Sequence, residues 1–179
     1  MPFEVGDVVV RTLDDEHWAV VEPLVYRGTR DRFVVPAGFR TDFATVPRVV
    51  VWLVPRFGRY TAAAILHDWF VTVGIESGVV TAREADGVFR RVMRESGVPV
   101  VRRWLMWTGV RWGAFGDPVR GAGWWHSAPG VLAISLLAAP VVVPPGLLIA
   151  VALSVYAVVE AAVGVVTGSP PRDAGSFRT

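Results

Sequence analysis

One stretch decides the fold: AAAILHDWFV, residues 62–71, an apolar run that is interrupted by His67 and Asp68. On a helix, the neighbours of His67 three and four positions away are all apolar. A helix that is apolar nearly all round belongs in a protein core. We therefore expect His67 and Asp68 to be at least partly buried, where each needs a partner because an unpaired polar group in a core is costly.

The next predicted helix carries Asp86. It begins with a capping box at Thr81 and Glu84 and should end near Ser96. The connection between the two helices is short, which favours an antiparallel pair, so His67 and Asp86 could meet across it. A histidine that is hydrogen-bonded to a buried carboxylate has a fixed tautomer and can take a proton from water. The spacing therefore predicts a catalytic pair of His67 and Asp86.

The chain on either side of these helices is typical of an α+β fold. The N-terminal part contains three runs rich in Val, Trp, Phe and Tyr, which are separated by polar or turn-forming breaks: residues 3–11, 18–26 and 33–36. Short linkers of this kind favour an antiparallel meander. Residues 48–116 are predicted to be helical. We expect a small antiparallel sheet that packs on a helical bundle.

A long apolar region follows, because residues 122–159 contain no Asp, Glu, Lys or Arg. Pro140 and the pair Pro144-Pro145 divide it, and residues 146–166 have the length of a bilayer-spanning helix. The region is therefore predicted to be a hydrophobic helical hairpin in the membrane. The alternative is a buried hairpin of a soluble oligomer.

This hairpin sets the predicted domain organisation. A soluble α+β domain occupies residues 1–121, the membrane-associated hairpin residues 122–168, and a disordered tail residues 169–179. Arginines flank both ends of the hairpin, which places the soluble domain and the tail on the cytoplasmic side.

Composition supports membrane contact and excludes some chemistry. The 179 residues are 53% hydrophobic, and the formal net charge is only +2. That charge is too small to argue for nucleic acid by itself, although the Arg- and Trp-containing segment 102–112 could stack on bases. A membrane-surface helix explains the same segment. The chain has no cysteine, which excludes disulfides, thiolate metal sites and a cysteine nucleophile.

Asp42 and Asp68 are candidate metal ligands. Carboxylates are hard oxygen ligands that suit calcium or magnesium when backbone carbonyls complete the shell, and the loop of residues 37–42 could supply such carbonyls. The alternative is a buried polar network in which an arginine pairs with each carboxylate. The candidates for that role are Arg40, Arg48 and Arg83.

Three segments carry a family resemblance. The order FVVPAGFRTDFATVPR (33–48), AILHDWF (64–70) and READGVF (83–89) strongly resembles the family known as domain of unknown function 1353, which is found in phages, prophages and bacteria. The resemblance covers residues 3–116. It implies membership of that family but no particular activity, and the apolar region after residue 116 is expected to be an extension of the family core.

The same residues resemble, more loosely, the secreted bacterial phospholipases A₂. This resemblance implies that His67 is a general base oriented by Asp86, and that Asp68 and the loop residue Asp42 bind calcium. The chain departs from those enzymes because it has no cysteine, no recognisable signal peptide and a β-rich N-terminal segment.

Two functions from different classes follow. The first is a membrane-tethered, metal-dependent hydrolase of a lipid or another ester, in which the His67–Asp86 pair activates water beside a bound calcium. The second is a non-enzymatic structural or adaptor module of phage or prophage origin, in which the same polar residues form a buried network. The hydrolase predicts an open cleft that reaches His67, whereas the network predicts an arginine on every carboxylate and no path for solvent.

Overall fold

A computed structural model describes residues 2–4, 8–29, 31–43 and 46–168 of the chain. In these ranges it has two small antiparallel sheets and four α-helices, which confirms the α+β class. The strands are β1 (Val10–Thr12), β2 (Trp18–Val20), β3 (Leu24–Arg27), β4 (Arg32–Val35) and β5 (Arg40–Thr41). The helices are α1 (Thr61–Trp69), α2 (Ala82–Glu95), α3 (Val100–Ala114) and α4 (Trp124–Thr167). The predicted tail, residues 169–179, lies outside the described residues.

The strands form two sheets instead of one meander. In one sheet, β2 pairs with β1 and β5 on its two sides, and in the other β3 pairs with β4, all antiparallel. The prediction of a single strand over residues 18–26 was wrong, because β2 ends at Val20 and β3 begins at Leu24. Pro23 lies in the gap, and a proline has no N–H to donate to a sheet ladder.

The β3–β4 hairpin is attached to α2 by two polar contacts. Tyr26 on β3 is fully buried, and its hydroxyl donates to Oε2 of Glu95 at 2.9 Å. Arg91 of α2 forms an ion pair with Asp31, just before β4. These contacts fix one face of α2 and leave its opposite face toward α1 and α3.

The helices begin where the sequence predicts. A full capping box at Thr81 and Glu84 opens α2. Gly97, with a φ of 73°, ends the turn after that helix, because a left-handed residue is most easily a glycine. α1 continues without a break into a π-helical segment, Phe70–Gly74. α1 packs beside α2, and α2 packs beside α3.

The chain divides into two compact units. The first comprises Met1–Ala44 and Arg56–Ser135, and the second Thr45–Pro55 and Leu136–Thr179. All four predicted site residues lie in the first unit, together with the first turns of α4. There, Trp124, Ala128 and Val131 are buried and pack with Trp107 of α3. The second unit contains a 3₁₀ turn at Arg48–Val50 and the remainder of α4.

The prediction of a helical hairpin was wrong, because α4 is one continuous helix of 44 residues. A proline inside a helix removes one hydrogen bond, but its φ is already helical. In apolar helices such prolines are tolerated, so Pro140, Pro144 and Pro145 do not end α4. At 1.5 Å per residue α4 is about 66 Å long, roughly twice the thickness of the hydrocarbon core of a bilayer.

The apolar side chains of α4 face outward along most of the helix. Its candidate span has a mean hydropathy of 2.3, with none of the window buried. Leu148, Val158 and Val166 are each at least 70% exposed. An apolar surface of this extent requires cover by lipid or by another chain. α4 is therefore long and apolar enough to cross a membrane.

Candidate functional site

His67 lies in the middle of α1 and is 8% exposed. Its ring lies 4.7 Å from the ring of Phe89 on α2, measured between centroids, at an angle of 38°. The apolar pattern around residue 67 places the imidazole against the neighbouring helix, as predicted. Phe89 shields one face of the ring from water.

Asp86 meets His67 across the α1–α2 pair. Nε2 of His67 lies 2.8 Å from Oδ1 of Asp86, and Asp86 is only 4% exposed. The predicted juxtaposition of these two residues is therefore present. Their roles as a catalytic pair stay a prediction, since a buried histidine–aspartate hydrogen bond also occurs in purely structural networks.

Arg111 completes the contact and was not predicted. It is 2% exposed, and its Nη1 donates to Oδ2 of Asp86 at 2.7 Å. Its Nε donates to the hydroxyl of Ser127 at 3.0 Å. From the sequence, Arg111 is one of the arginines expected to flank the membrane segment, and Arg40, Arg48 or Arg83 is expected to pair with the carboxylates. Instead, Arg40 pairs with the exposed carboxylate of Asp14 at 3.2 Å.

A sequence signal for Arg111 exists in retrospect. Thr108, Arg111 and Ala114 recur every three residues on α3, and all three are buried. This stripe identifies the core-facing side of the helix. Arg111 lies in its centre, and a buried arginine needs a carboxylate.

The charge state of Asp86 follows from its neighbours. Burial acts to raise the pKa of this carboxyl, but the hydrogen bonds and charges of His67 and Arg111 outweigh it and hold the pKa below its usual range. Asp86 is therefore an ionised carboxylate whose two oxygens have different partners.

Asp68 points away from Asp86 and forms a second polar contact. It is half-buried, and it accepts hydrogen bonds from the Thr41 hydroxyl and the backbone N–H of Asp42. Burial raises the pKa of Asp68 to about 6, and the nearby charge of Asp42 contributes in the same direction. The contact joins the end of β5 to the end of α1.

The loop after β5 contains a strained residue. Phe43 has a φ of 66°, in the left-handed region that side chains other than glycine rarely adopt. Its N–H donates to the Thr41 hydroxyl oxygen at 2.9 Å, and its ring packs 4.8 Å from Trp18 and 5.1 Å from Phe57. Packing of this ring keeps the backbone in the strained conformation, and with it the position of Asp42.

The four predicted residues thus form two pairs, His67 with Asp86 and Asp42 with Asp68. In the part of the chain that the structure describes, no three His, Asp or Glu side chains are grouped as a metal site. A calcium site built mainly from backbone carbonyls needs fewer carboxylates than that. Asp42 and Asp68 are the residues that could hold such an ion, and the calcium hypothesis stays a prediction.

A cavity of about 350 Å³ borders the contact between Asp86 and Arg111. Asp86 and Arg111 are part of its wall, whereas His67 is not among its lining residues. This cavity is therefore lined by two members of the network and not by His67, so it is not the open cleft to His67 that the hydrolase hypothesis predicts.

The chain belongs to the family described as protein of unknown function DUF1353, which matches residues 18–110. The predicted family membership is confirmed. The match begins at β2, includes all four predicted site residues, and ends one residue before Arg111. No curated protein and no solved structure matches the chain. The resemblance to phospholipases A₂ and the phage or prophage origin stay predictions.

Proposed function

We propose that this protein is a membrane-anchored hydrolase of ester bonds in which His67 is the general base. One observation carries the proposal: the 2.8 Å contact between Nε2 of His67 and Oδ1 of Asp86. In that contact Nε2 carries the hydrogen, because an ionised carboxylate only accepts. The tautomer therefore leaves the lone pair on Nδ1, the atom that would take a proton from water.

Arg111 contributes by keeping Asp86 ionised. A carboxylate that stays charged can stabilise the imidazolium formed after proton transfer, which is the role of the orienting acid in such pairs. Asp86 is held on both oxygens, so it orients the imidazole without rotating. Because His67 is only 8% exposed, the reacting water would have little access to the imidazole in this conformation.

Asp42 and Asp68 would hold a calcium ion in this proposal. Burial raises the pKa of Asp68 to about 6, and the nearby charge of Asp42 adds to the rise. A divalent cation between them relieves such a repulsion. When bound, calcium would polarise the ester carbonyl and stabilise the oxyanion. An ester that is part of a membrane lipid is the favoured substrate class, because α4 would anchor the domain to the bilayer.

A second function is favoured by a different observation. The contacts from His67 to Asp86 to Arg111 continue to Ser127, and Nε1 of Trp124 donates to the backbone oxygen of Arg111 at 2.7 Å. This chain of buried contacts ties α1, α2, α3 and the start of α4 together. The alternative is thus a non-enzymatic membrane adaptor, in which the network holds the first turns of α4 against the domain.

The test compares two histidine–aspartate pairs of the same chain. Full-length protein in phospholipid vesicles is assayed for fatty-acid release and for hydrolysis of a soluble nitrophenyl ester, with calcium and with chelator. We expect His67→Gln to lower the rate by about 10²–10⁴-fold. His17→Gln is the matched control, because Nδ1 of His17 contacts Oδ1 of Asp14 at the same 2.8 Å on the surface.

The outcomes separate the two functions. A calcium-dependent activity that His67→Gln abolishes and His17→Gln retains supports the hydrolase. If the wild-type protein hydrolyses neither substrate, while His67→Gln is less stable to urea by about 1–3 kcal/mol, the adaptor is supported instead.

A further inference from the structure

The cavity beside Asp86 has a cationic and aromatic wall. Its volume of about 350 Å³ lies at the lower end of the range for small-molecule sites. Residues of three helices face it. The side chains that matter for recognition are Arg83 and Arg90 of α2, Trp104, Trp107 and Arg111 of α3, and His126 of α4.

The positive charge of this wall exceeds its negative charge. Three arginines line the cavity against one carboxylate, Asp86, which already pairs with Arg111. Among the described residues, no carboxylate lies within ion-pair distance of Arg83 or Arg90. Two guanidinium groups at one cavity thus lack an anionic partner in the described part of the chain.

Arg90 is held in place by aromatic rings instead of by an acid. Its guanidinium carbon lies 4.2 Å from the centroid of Trp104 and 5.6 Å from that of Trp107. Stacking on a ring leaves the outer edge of the guanidinium, with its N–H groups, available to a ligand. The planar fork of N–H donors matches the oxygens of a phosphate.

We propose that this cavity binds a phosphate group, and that the phosphate belongs to the headgroup of an anionic membrane lipid. The lipid source follows from α4. His126, Ser127 and Gly130, in the first two turns of α4, form one wall of the cavity. The same helix continues in sequence into an apolar segment that is long enough to cross a membrane, and arginine and tryptophan side chains near such a segment favour the headgroup layer. This phosphate site stands whether or not His67 acts as a base.

Gly87 offers a way to close the cavity without removing a charge. It lines the cavity on α2, and a Cβ built at this position meets no heavy atom within 4 Å. A leucine there has open space at the cavity wall and meets no steric barrier at its Cβ. Gly87→Leu therefore tests whether a side chain in the cavity blocks ligand binding while every charge of the cavity wall is kept.

The experiment uses the full chain in micelles of a neutral detergent. Three probes are titrated by calorimetry: dihexanoyl phosphatidylglycerol, dihexanoyl phosphatidylcholine and inorganic phosphate. Phosphatidylglycerol should bind most tightly, and its Kd should rise about tenfold in Arg83→Gln and in Arg90→Gln, as expected for the loss of one charge-assisted contact. Gly87→Leu should abolish binding. Arg94→Gln is the matched control, since Arg94 is an exposed arginine of the same helix that does not line the cavity.

Each outcome supports or overturns the proposal. Equal affinity of all variants for phosphatidylglycerol, or equal binding of the zwitterionic and the anionic lipid, overturns the site. Inorganic phosphate that binds as tightly as phosphatidylglycerol overturns the lipid source and leaves a site for a soluble phosphate. Arg83 is exposed, so Arg83→Gln should fold normally and keeps the test decisive even if Gly87→Leu does not fold.

Discussion

Replacement of Arg111 by methionine tests the centre of the buried network. Methionine keeps the unbranched apolar stem of arginine and lacks the guanidinium, so the change removes the charge and its hydrogen-bond donors while retaining most of the packing. In the wild-type protein Arg111 is 2% exposed, and it donates to Asp86 at 2.7 Å and to Ser127 at 3.0 Å. In the variant Asp86 stays buried. Of its two side-chain partners, His67 and Arg111, only His67 remains.

The expected cost is large because Asp86, at 4% exposure, is almost entirely shielded from water. Removal of one partner of a buried ion pair costs about 3–5 kcal/mol. For a chain of this size that corresponds to a fall in Tm of roughly 6–20 °C. The assay is thermal and urea unfolding of the full chain in detergent micelles, followed by circular dichroism.

The control is Arg40→Met, which removes an ion pair of similar chemistry at the surface. Arg40 contacts Asp14 at 3.2 Å, and both side chains are at least half exposed, so its loss should cost less than about 1 kcal/mol. The double variant Asp86→Leu, Arg111→Met should recover much of the stability lost in the single variant, because no buried charge is left unpaired.

The stability difference between the wild-type protein and Arg111→Met should depend on pH, because Asp86 is a titratable group. Its pKa is lowered in the folded protein, so its ionised form contributes stability above the unfolded pKa, and this contribution is lost as the pH falls through the folded pKa. The difference between wild type and Arg111→Met should therefore shrink in acid. A cost below 1 kcal/mol at pH 7, equal to that of Arg40→Met, would refute the buried network.

Three further predictions concern other parts of the chain. Because the pKa of Asp68 is raised to about 6, the wild-type protein should lose stability as the pH rises from about 4 through 6. Asp68→Asn should therefore be more stable than wild type by roughly 1–3 kcal/mol at pH 8 in chelator. An unchanged pH profile of unfolding in this variant would contradict the assignment. Thr81→Ala removes the capping box of α2 and should cost about 1 kcal/mol in urea unfolding, and an unshifted midpoint would count against it. In membrane vesicles, single cysteines introduced as Ala122→Cys and Thr167→Cys should react with an impermeant maleimide from opposite sides if α4 crosses as one helix; labelling of both from the same side would restore the hairpin.

The sequence predicted the contacts that depend on local periodicity. The apolar neighbours of His67 and the capping box at Thr81 fixed the two helices and the sides they bury, and the short connection between them brought Asp86 opposite His67. These features depend on spacings of three and four residues within one helix. Such spacings can be read without knowing the tertiary structure.

The features that the sequence did not predict depend on competition between elements. Arg111 lies 25 residues after Asp86, and the stripe of α3 that contains it does not show which carboxylate it meets. Its pairing is decided by how α3 packs against α2. The continuous α4 reflects a second competition. Prolines weaken a helix in water, but an apolar surrounding penalises every unpaired backbone group and so favours the helix over a turn.

The network and the cavity share two residues, which couples the two proposals chemically. Asp86 and Arg111 both line the cavity and contact each other at 2.7 Å. A phosphate bound near Arg111 would compete with Asp86 for the same guanidinium, because both anions are recognised by its N–H groups. As Arg111 turns toward the phosphate, the negative charge of Asp86 becomes less compensated, and its hydrogen bond with His67 strengthens. If His67 is a base, ester hydrolysis should be faster at equal ester concentration in vesicles with an anionic lipid than in zwitterionic vesicles, and Gly87→Leu should remove that difference.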